Sequence, residues 1–201
     1  ELGIKSNEKL VLVTPGGGED GYYLINNYLT GLAQNQDYFS QQKIRSLIFC
    51  GAEMSPEQQQ QIYQQAQQLP GVTVLEFTND LMSYVNTADT VISMCGYNTI
   101  TEVLQKGKKA IVVPRTKPGQ EQLIRAQAMA KAGLIKMIHP DLLNSNLLME
   151  TLFSGLEQVD NSNFINHLDF AGLPRVADYI SMLLFDSFYI EQSSNMALKS
   201  A

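Results

Sequence analysis

Tryptophan is missing from this chain of 201 residues, and cysteine and histidine occur only twice each. His139 precedes a proline and His167 sits in a polar run. Neither stands at ligand spacing from a cysteine or from the other histidine, so no structural zinc or other metal is expected. Cys50 and Cys95 each close an apolar run, and no charged-then-apolar leader precedes them, which points to a reduced, cytoplasmic setting and not to a disulfide framework. No apolar stretch approaches the roughly 20 residues of a membrane span. A basic surplus is lacking too: 14 Lys and Arg stand against 20 Asp and Glu, a formal charge of −6. Binding that rests on neutralising a nucleic-acid backbone is therefore not expected. What is present, 44% hydrophobic and 17% charged residues, suits one soluble α/β domain of ordinary composition.

Apolar runs set the order of elements. Residues 1–9 are polar and read as the end of a linker. Leu10 to Thr14 is a continuous apolar run, the mark of a strand buried on both faces, and Gly16-Gly17-Gly18 follows it at once. Helical spacing then runs from Tyr22 to Leu32. Ile44 to Cys50 is a second strand. Ser55-Pro56-Glu57 supplies a cap, a proline and an acid for a helix whose glutamines form its wet face. Val72 to Phe77 is a third strand, and a short helix reaches Ala88. The central stretch gives a strand at Thr90 to Met94, a turn at Cys95-Gly96, a helix opening at Asn98 and a strand at Ala110 to Val113. A helix from Gln120 to Ala132 and a sixth strand at Leu134 to Ile138 follow. Asp141 to Val159 reads as helix with a break at Ser154-Gly155, residues 160–169 as loop, and Gly172 to Asp186 as a last amphipathic helix. From Ser187 the periodicity is lost, which predicts a disordered tail over 187–201. Six strands alternating with helices give a doubly wound, Rossmann-like parallel sheet, with one domain over residues 10–186.

Two strand–glycine–helix turns in such a sheet end on one rim, the place where ligands bind. Glycine lets the backbone approach a ligand, and a helix N-terminus offers unpaired N–H groups and positive potential to a phosphate. Gly16, Gly17 and Gly18 form the first such turn, and Cys95 and Gly96, with Asn98 and Thr99 at the helix start, form the second. Glu102 stands one turn into that second helix, where a carboxylate can accept from hydroxyl groups. Arg115 and Lys117, in the following Pro/Gly loop, can pair with a diphosphate. Cys95 reads as a small residue in a tight turn in preference to a nucleophile, and Lys106, Lys108 and Lys109 as a solvated helix end.

The run from Phe77 through Met82, together with Ala88-Asp89, Gly96, Thr99, Glu102, Gly107, Pro114, Gln122 and Ala132-Gly133, resembles the C-terminal half of the MurG-like family 28 glycosyltransferases, of the GT-B class. The resemblance covers about residues 8 to 186. It implies the donor-binding half of a GT-B fold, taking a nucleotide-sugar, a UDP-sugar by preference, for inverting hexosyl transfer to an acceptor hydroxyl. No cofactor is implied beyond that donor. By the same resemblance Gly96, Asn98 and Thr99 face the diphosphate, Glu102 the ribose and Thr78 the base, through its backbone. Glu121 and Gln122 face the sugar, and Gly16 to Gly18 line the other side. The partner implied is an N-terminal acceptor-binding domain of the same full-length protein. It would carry the catalytic base and any peripheral membrane contact. Cys95-Gly96-Tyr97 departs from the family's usual Ser-Gly-Ala, and Glu121 from a glutamine. Two alternatives stay open: a GT-B epimerase or hydrolase domain, which would use the same cradle, and a non-catalytic interaction module, which these departures keep open.

Overall fold

The computed structural model describes residues 3–157 and 172–184. The chain divides into two compact units, Glu1–Ile165 and Asn166–Ala201. In the first, strands β1 (Lys9–Thr14), β2 (Ile44–Phe49), β3 (Val72–Leu75), β4 (Thr90–Ser93), β5 (Lys109–Val112) and β6 (Lys136–Met137) make one parallel sheet in the order β3-β2-β1-β4-β5-β6. Its helices are α1 (Tyr22–Gln34), α2 (Gln36–Gln41), α3 (Pro56–Ala66), α4 (Leu81–Thr87), α5 (Tyr97–Gln105), α6 (Glu121–Lys131) and α7 (Ser145–Glu157), with a 3₁₀ turn at Pro140–Leu142. In the second unit, residues 172–184 are helical, α8; the polar loop, the last two residues of the sequence-read helix and the tail lie outside the described residues.

Five of the six segments become strands because each is short, apolar and rich in Val, Ile or Leu; the sixth, expected over Leu134 to Ile138, pairs only at Lys136–Met137 on the sheet edge. Leu10 to Val13, Leu47, Ile48, Val91, Ile92 and Val112 are sealed from solvent, as a sheet covered on both faces requires. Each such side chain contributes about 1.5–3 kcal/mol on burial. Strands run outward from β1 one way and from β4 the other. Right-handed crossovers therefore set α1 and α3 on one face and α5 and α6 on the opposite face. α1 packs on α3 and α7, and α4 on α5. Beneath α1, Tyr28 is fully buried with its hydroxyl 2.7 Å from Ser46 Oγ, and Phe39 of α2 meets the Tyr28 and Phe153 rings edge-on.

Three sequence expectations need correction. α2 has no counterpart in the sequence reading. The expected break at Ser154-Gly155 is absent: α7 runs through both residues, and the interruption falls earlier, after the 3₁₀ turn, where Asn144 Oδ1 accepts from the Leu147 amide at 3.0 Å. Gly155 is buried, so the small residue serves packing and not chain reversal. The central helix begins at Tyr97, not Asn98, with Gly96 as its N-cap in an extended conformation. Among the described residues no helix is long and apolar enough to cross a membrane.

The strand order reverses between β1 and β4, which pair from Val11↔Thr90 to Thr14↔Ser93. Loops leaving these two strands diverge to opposite faces, and the gap between them is where a doubly wound sheet takes a ligand.

Candidate functional site

A recess of about 220 Å³ opens at that reversal, lined by Gly16 to Gly18 and Asp20 of the first glycine turn, Gly96, Asn98 and Thr99 of the second, and Arg115 and Gln122 beyond β5. Glu19, Glu53, Met94 and Tyr97 complete the wall. The two turns that the sequence singled out thus share one crevice.

Local chemistry explains what each side presents. Gly96 caps α5 without a side chain, a Cβ built there meets nothing within 4 Å, and the first turn of α5, Tyr97 to Thr99, lines the recess with no side-chain cap. The same lack marks α1 and α6, whose preceding loops also wall the recess. By contrast, α3 is capped by Ser55, which accepts from the Gln58 amide, and α4 by Asp80, which accepts from the Ser83 amide. Helix ends left without side-chain partners are met by water or by a ligand. Among those bordering the recess, α1 and α5 are of that kind, whereas the first amide of α6 is met by the Glu121 carboxyl.

Charge in the recess is mixed. Glu19, Asp20 and Glu53 bring three carboxylates. Arg115 answers them: its Nε lies 3.8 Å from Asp20 Oδ2 and its NH2 group 3.4 Å from Glu121 Oε1, so one guanidinium ties the β1–α1 loop to the start of α6. The Arg115 Nε is buried with no hydrogen-bond partner, a donor held ready at the crevice. Gln122 is 9% exposed, and its carboxamide oxygen accepts from the Arg115 amide at 3.1 Å. With that oxygen engaged, its NH2 is the group left for a ligand. The Glu121 carboxyl is held below the usual glutamate range, first by its own backbone amide and then by Arg115 and Arg125.

Not all the predicted residues gather here. Thr78 lies outside the recess, its hydroxyl accepting from the Asp80 amide at 3.1 Å beside the exposed Phe77. Glu102 lies further along α5, and Glu121 on α6; neither is among the lining residues. Cys95 is fully buried, and burial pushes its thiol up despite the opposing pull of Arg125, which makes the side chain a poor nucleophile. The acids of the first glycine loop stand over the recess, but Arg115 lies against Asp20.

Sequence reasoning missed Arg125. From the second turn of α6 its Nη1 donates to the Cys95 carbonyl, and its guanidinium stands 5.6 Å from the centre of the Tyr97 ring. The signal was available: Arg125 follows Glu121 by four residues and so shares its helix face.

The sequence matches the Glycosyltransferase family 28 C-terminal domain over residues 11–164. The UDP-N-acetylglucosamine--N-acetylmuramyl-(pentapeptide) pyrophosphoryl-undecaprenol N-acetylglucosamine transferase of Vibrio parahaemolyticus is 27% identical over 166 residues, 81% of this chain and 43% of that protein. The transferase of the same name from Yersinia pestis is 33% identical over 135 residues, 67% of this chain and 36% of that one. The chain therefore spans less than half the length of these relatives. Among solved structures, MurG of Acinetobacter baumannii superposes with a TM-score of 0.66 at 21% identity, covering 90% of this chain and 51% of that one. The calicheamicin glycosyltransferase CalG4 does so with a TM-score of 0.67 at 14% identity, covering 90% and 43%. At these identities the structural likeness speaks for the GT-B fold.

Proposed function

The chain belongs to glycosyltransferase family 28, whose C-terminal domain it matches over residues 11–164, and from that membership we propose that it binds the UDP-sugar donor of an inverting hexosyltransferase. The observation that carries this reading is that the two glycine turns line one recess together with the first turn of α5, which no side chain caps.

In this reading the donor diphosphate lies against the Gly96–Thr99 turn. The α5 dipole and its unpaired amides favour negative charge there, and more so as charge grows on the leaving group. Arg115 exchanges part of its hold on Asp20 and Glu121 for a phosphate oxygen. Gln122 offers its NH2 to a sugar hydroxyl, and Glu102 accepts from the ribose once the donor extends along α5. The acceptor oxygen forms its bond to the anomeric carbon as the bond from that carbon to the diphosphate oxygen breaks, and UDP leaves. The acceptor's proton goes to a base on a preceding domain of the full-length protein, consistent with a relative of which the match covers 43%. Reduced thiols at Cys50 and Cys95 fit a cytoplasmic site of action.

Calorimetric titration of UDP into the 201-residue chain tests the reading. Saturable binding is expected, weakened by Glu102→Ala about tenfold or more, the value of a hydrogen bond to a charged group. Absence of heat with UDP, a UDP-sugar and TDP alike sinks the donor reading and leaves an interaction module. Binding that ignores Glu102→Ala removes the ribose assignment alone.

A further inference from the structure

Resting on that reading, we propose that Arg125 is the positioning residue of the donor turn: it holds Cys95-Gly96-Tyr97 in the arrangement that leaves the first amides of α5 open to a diphosphate. The turn has little of its own to keep it in place. Gly96 brings no side chain, its extended conformation is one of many open to glycine, and no side chain caps the helix. Arg125 supplies an outside hold at two points. Its Nη1 donates to the Cys95 carbonyl, a charge-assisted bond of the stronger kind, and its guanidinium stands 5.6 Å from the Tyr97 ring centre. The two points flank Gly96 on either side, so fixing them fixes the glycine between.

This also gives the two departures in the turn a common purpose. Tyr97 is 67% exposed at the start of α5, and beside Arg125 its ring is a cation's seat. Cys95 is fully buried and contributes through its backbone, with the carbonyl taken by Arg125. A hydroxyl lost at position 95 is thus offset by a guanidinium that orders the whole turn and adds positive charge near the α5 amides.

The two thiols report on this directly. Both are fully buried, and burial pushes Cys50 up to about 11, so both label slowly in the native chain. In Arg125→Gln, site-resolved labelling with a maleimide is expected to quicken at Cys95 by about tenfold or more, with Cys50 unchanged. Losing the cation by itself raises the Cys95 thiol further and slows the reaction, so a faster rate at Cys95 with Cys50 unchanged reports an opened turn. Arg125→Lys should restore part of the protection, since an ammonium can donate to the carbonyl but not span both points. Tyr97→Leu, which alters an exposed ring and leaves the fold alone, should fall between. UDP affinity should drop about tenfold in Arg125→Gln and recover in part in Arg125→Lys. Unchanged Cys95 labelling, or equal acceleration of both thiols, overturns the inference, as does a labelling change with UDP affinity intact. If the native chain binds no UDP, the donor reading has failed on its own, and the labelling still decides whether Arg125 holds the turn.

Discussion

The two glycine turns of this domain look alike in sequence and differ in physical role. The triple glycine is the more conspicuous, yet Gly18 is buried at a φ of +101°, and a Cβ there would collide with the Cys50 carbonyl and come within 2.9 Å of Gly51 Cα. Gly51 answers in kind: its φ is +93°, and a Cβ on it would sit 2.6 Å from the Gly16 carbonyl oxygen. The Glu53 amide adds a bond of 2.8 Å to the Gly17 carbonyl. The first turn is therefore clamped to the end of β2, backbone against backbone. Gly96, by contrast, has an ordinary negative φ and free space where a Cβ would go. Glycine in the first turn chiefly builds the wall; glycine in the second leaves room for something else.

Replacing Gly18 by Ala should have the largest effect. The new Cβ meets backbone, not a flexible side chain, in a conformation that L-residues avoid, so a loss on the order of 3 kcal/mol in unfolding free energy is expected by chemical denaturation. Cooperative unfolding at the native midpoint would mean the clamp yields and the contrast is overstated. Gly96→Ala should behave the other way. Its stability is expected to stay within about 0.5 kcal/mol of the native chain, because the site is open and the φ ordinary. UDP affinity is expected to fall about tenfold, because the methyl stands where the diphosphate needs bare backbone. A Gly96→Ala chain that binds normally would move the phosphate away from α5.

Fold and site were unequally legible in the sequence. The four inner strands announce themselves, since burial on both faces demands an apolar run; the edge strands β3 and β6 are half-buried, and β6 keeps only Lys136–Met137 of the run expected over Leu134 to Ile138. α2 gave no signal: Gln36–Gln41 buries Phe39 alone, so it has no stripe, and its end is set by Lys43, a non-glycine residue at a φ of +54° that composition does not foretell. Ser154-Gly155 misled because small residues break isolated helices, whereas here Gly155 is buried in the last turn of α7 and packing prevails. In the site, Gly16 to Gly18, Gly96, Asn98, Thr99, Arg115 and Gln122 do meet, because strand order brings the loops together. What no motif conveyed was the role of Arg115 as a tie between Asp20 and Glu121, nor Arg125 reaching the Cys95 carbonyl. The Arg115–Asp20 and Arg125–Cys95 contacts depend on distances between segments far apart in the chain.

Glu121 tests the seam between the two turns, and the expected effect is small. Its carboxyl sits below the ordinary glutamate value of 4.5, first through its own amide and then through Arg115 and Arg125. A depressed folded value contributes stability above the unfolded value, and that contribution fades as pH falls through the folded one. The stability difference between the native chain and Glu121→Gln should therefore be level from about pH 6 to 8 and shrink below about pH 4.5. Binding should respond in the opposite sense. Removing one of the two carboxylates beside Arg115 leaves it with Asp20 alone and frees part of the guanidinium for a phosphate, so UDP affinity at neutral pH should rise by a factor of about two to five, the worth of an exposed pair. If affinity falls instead, the carboxylate itself touches the donor, the recess extends over the start of α6, and the departure from glutamine at this position marks what the donor sugar carries.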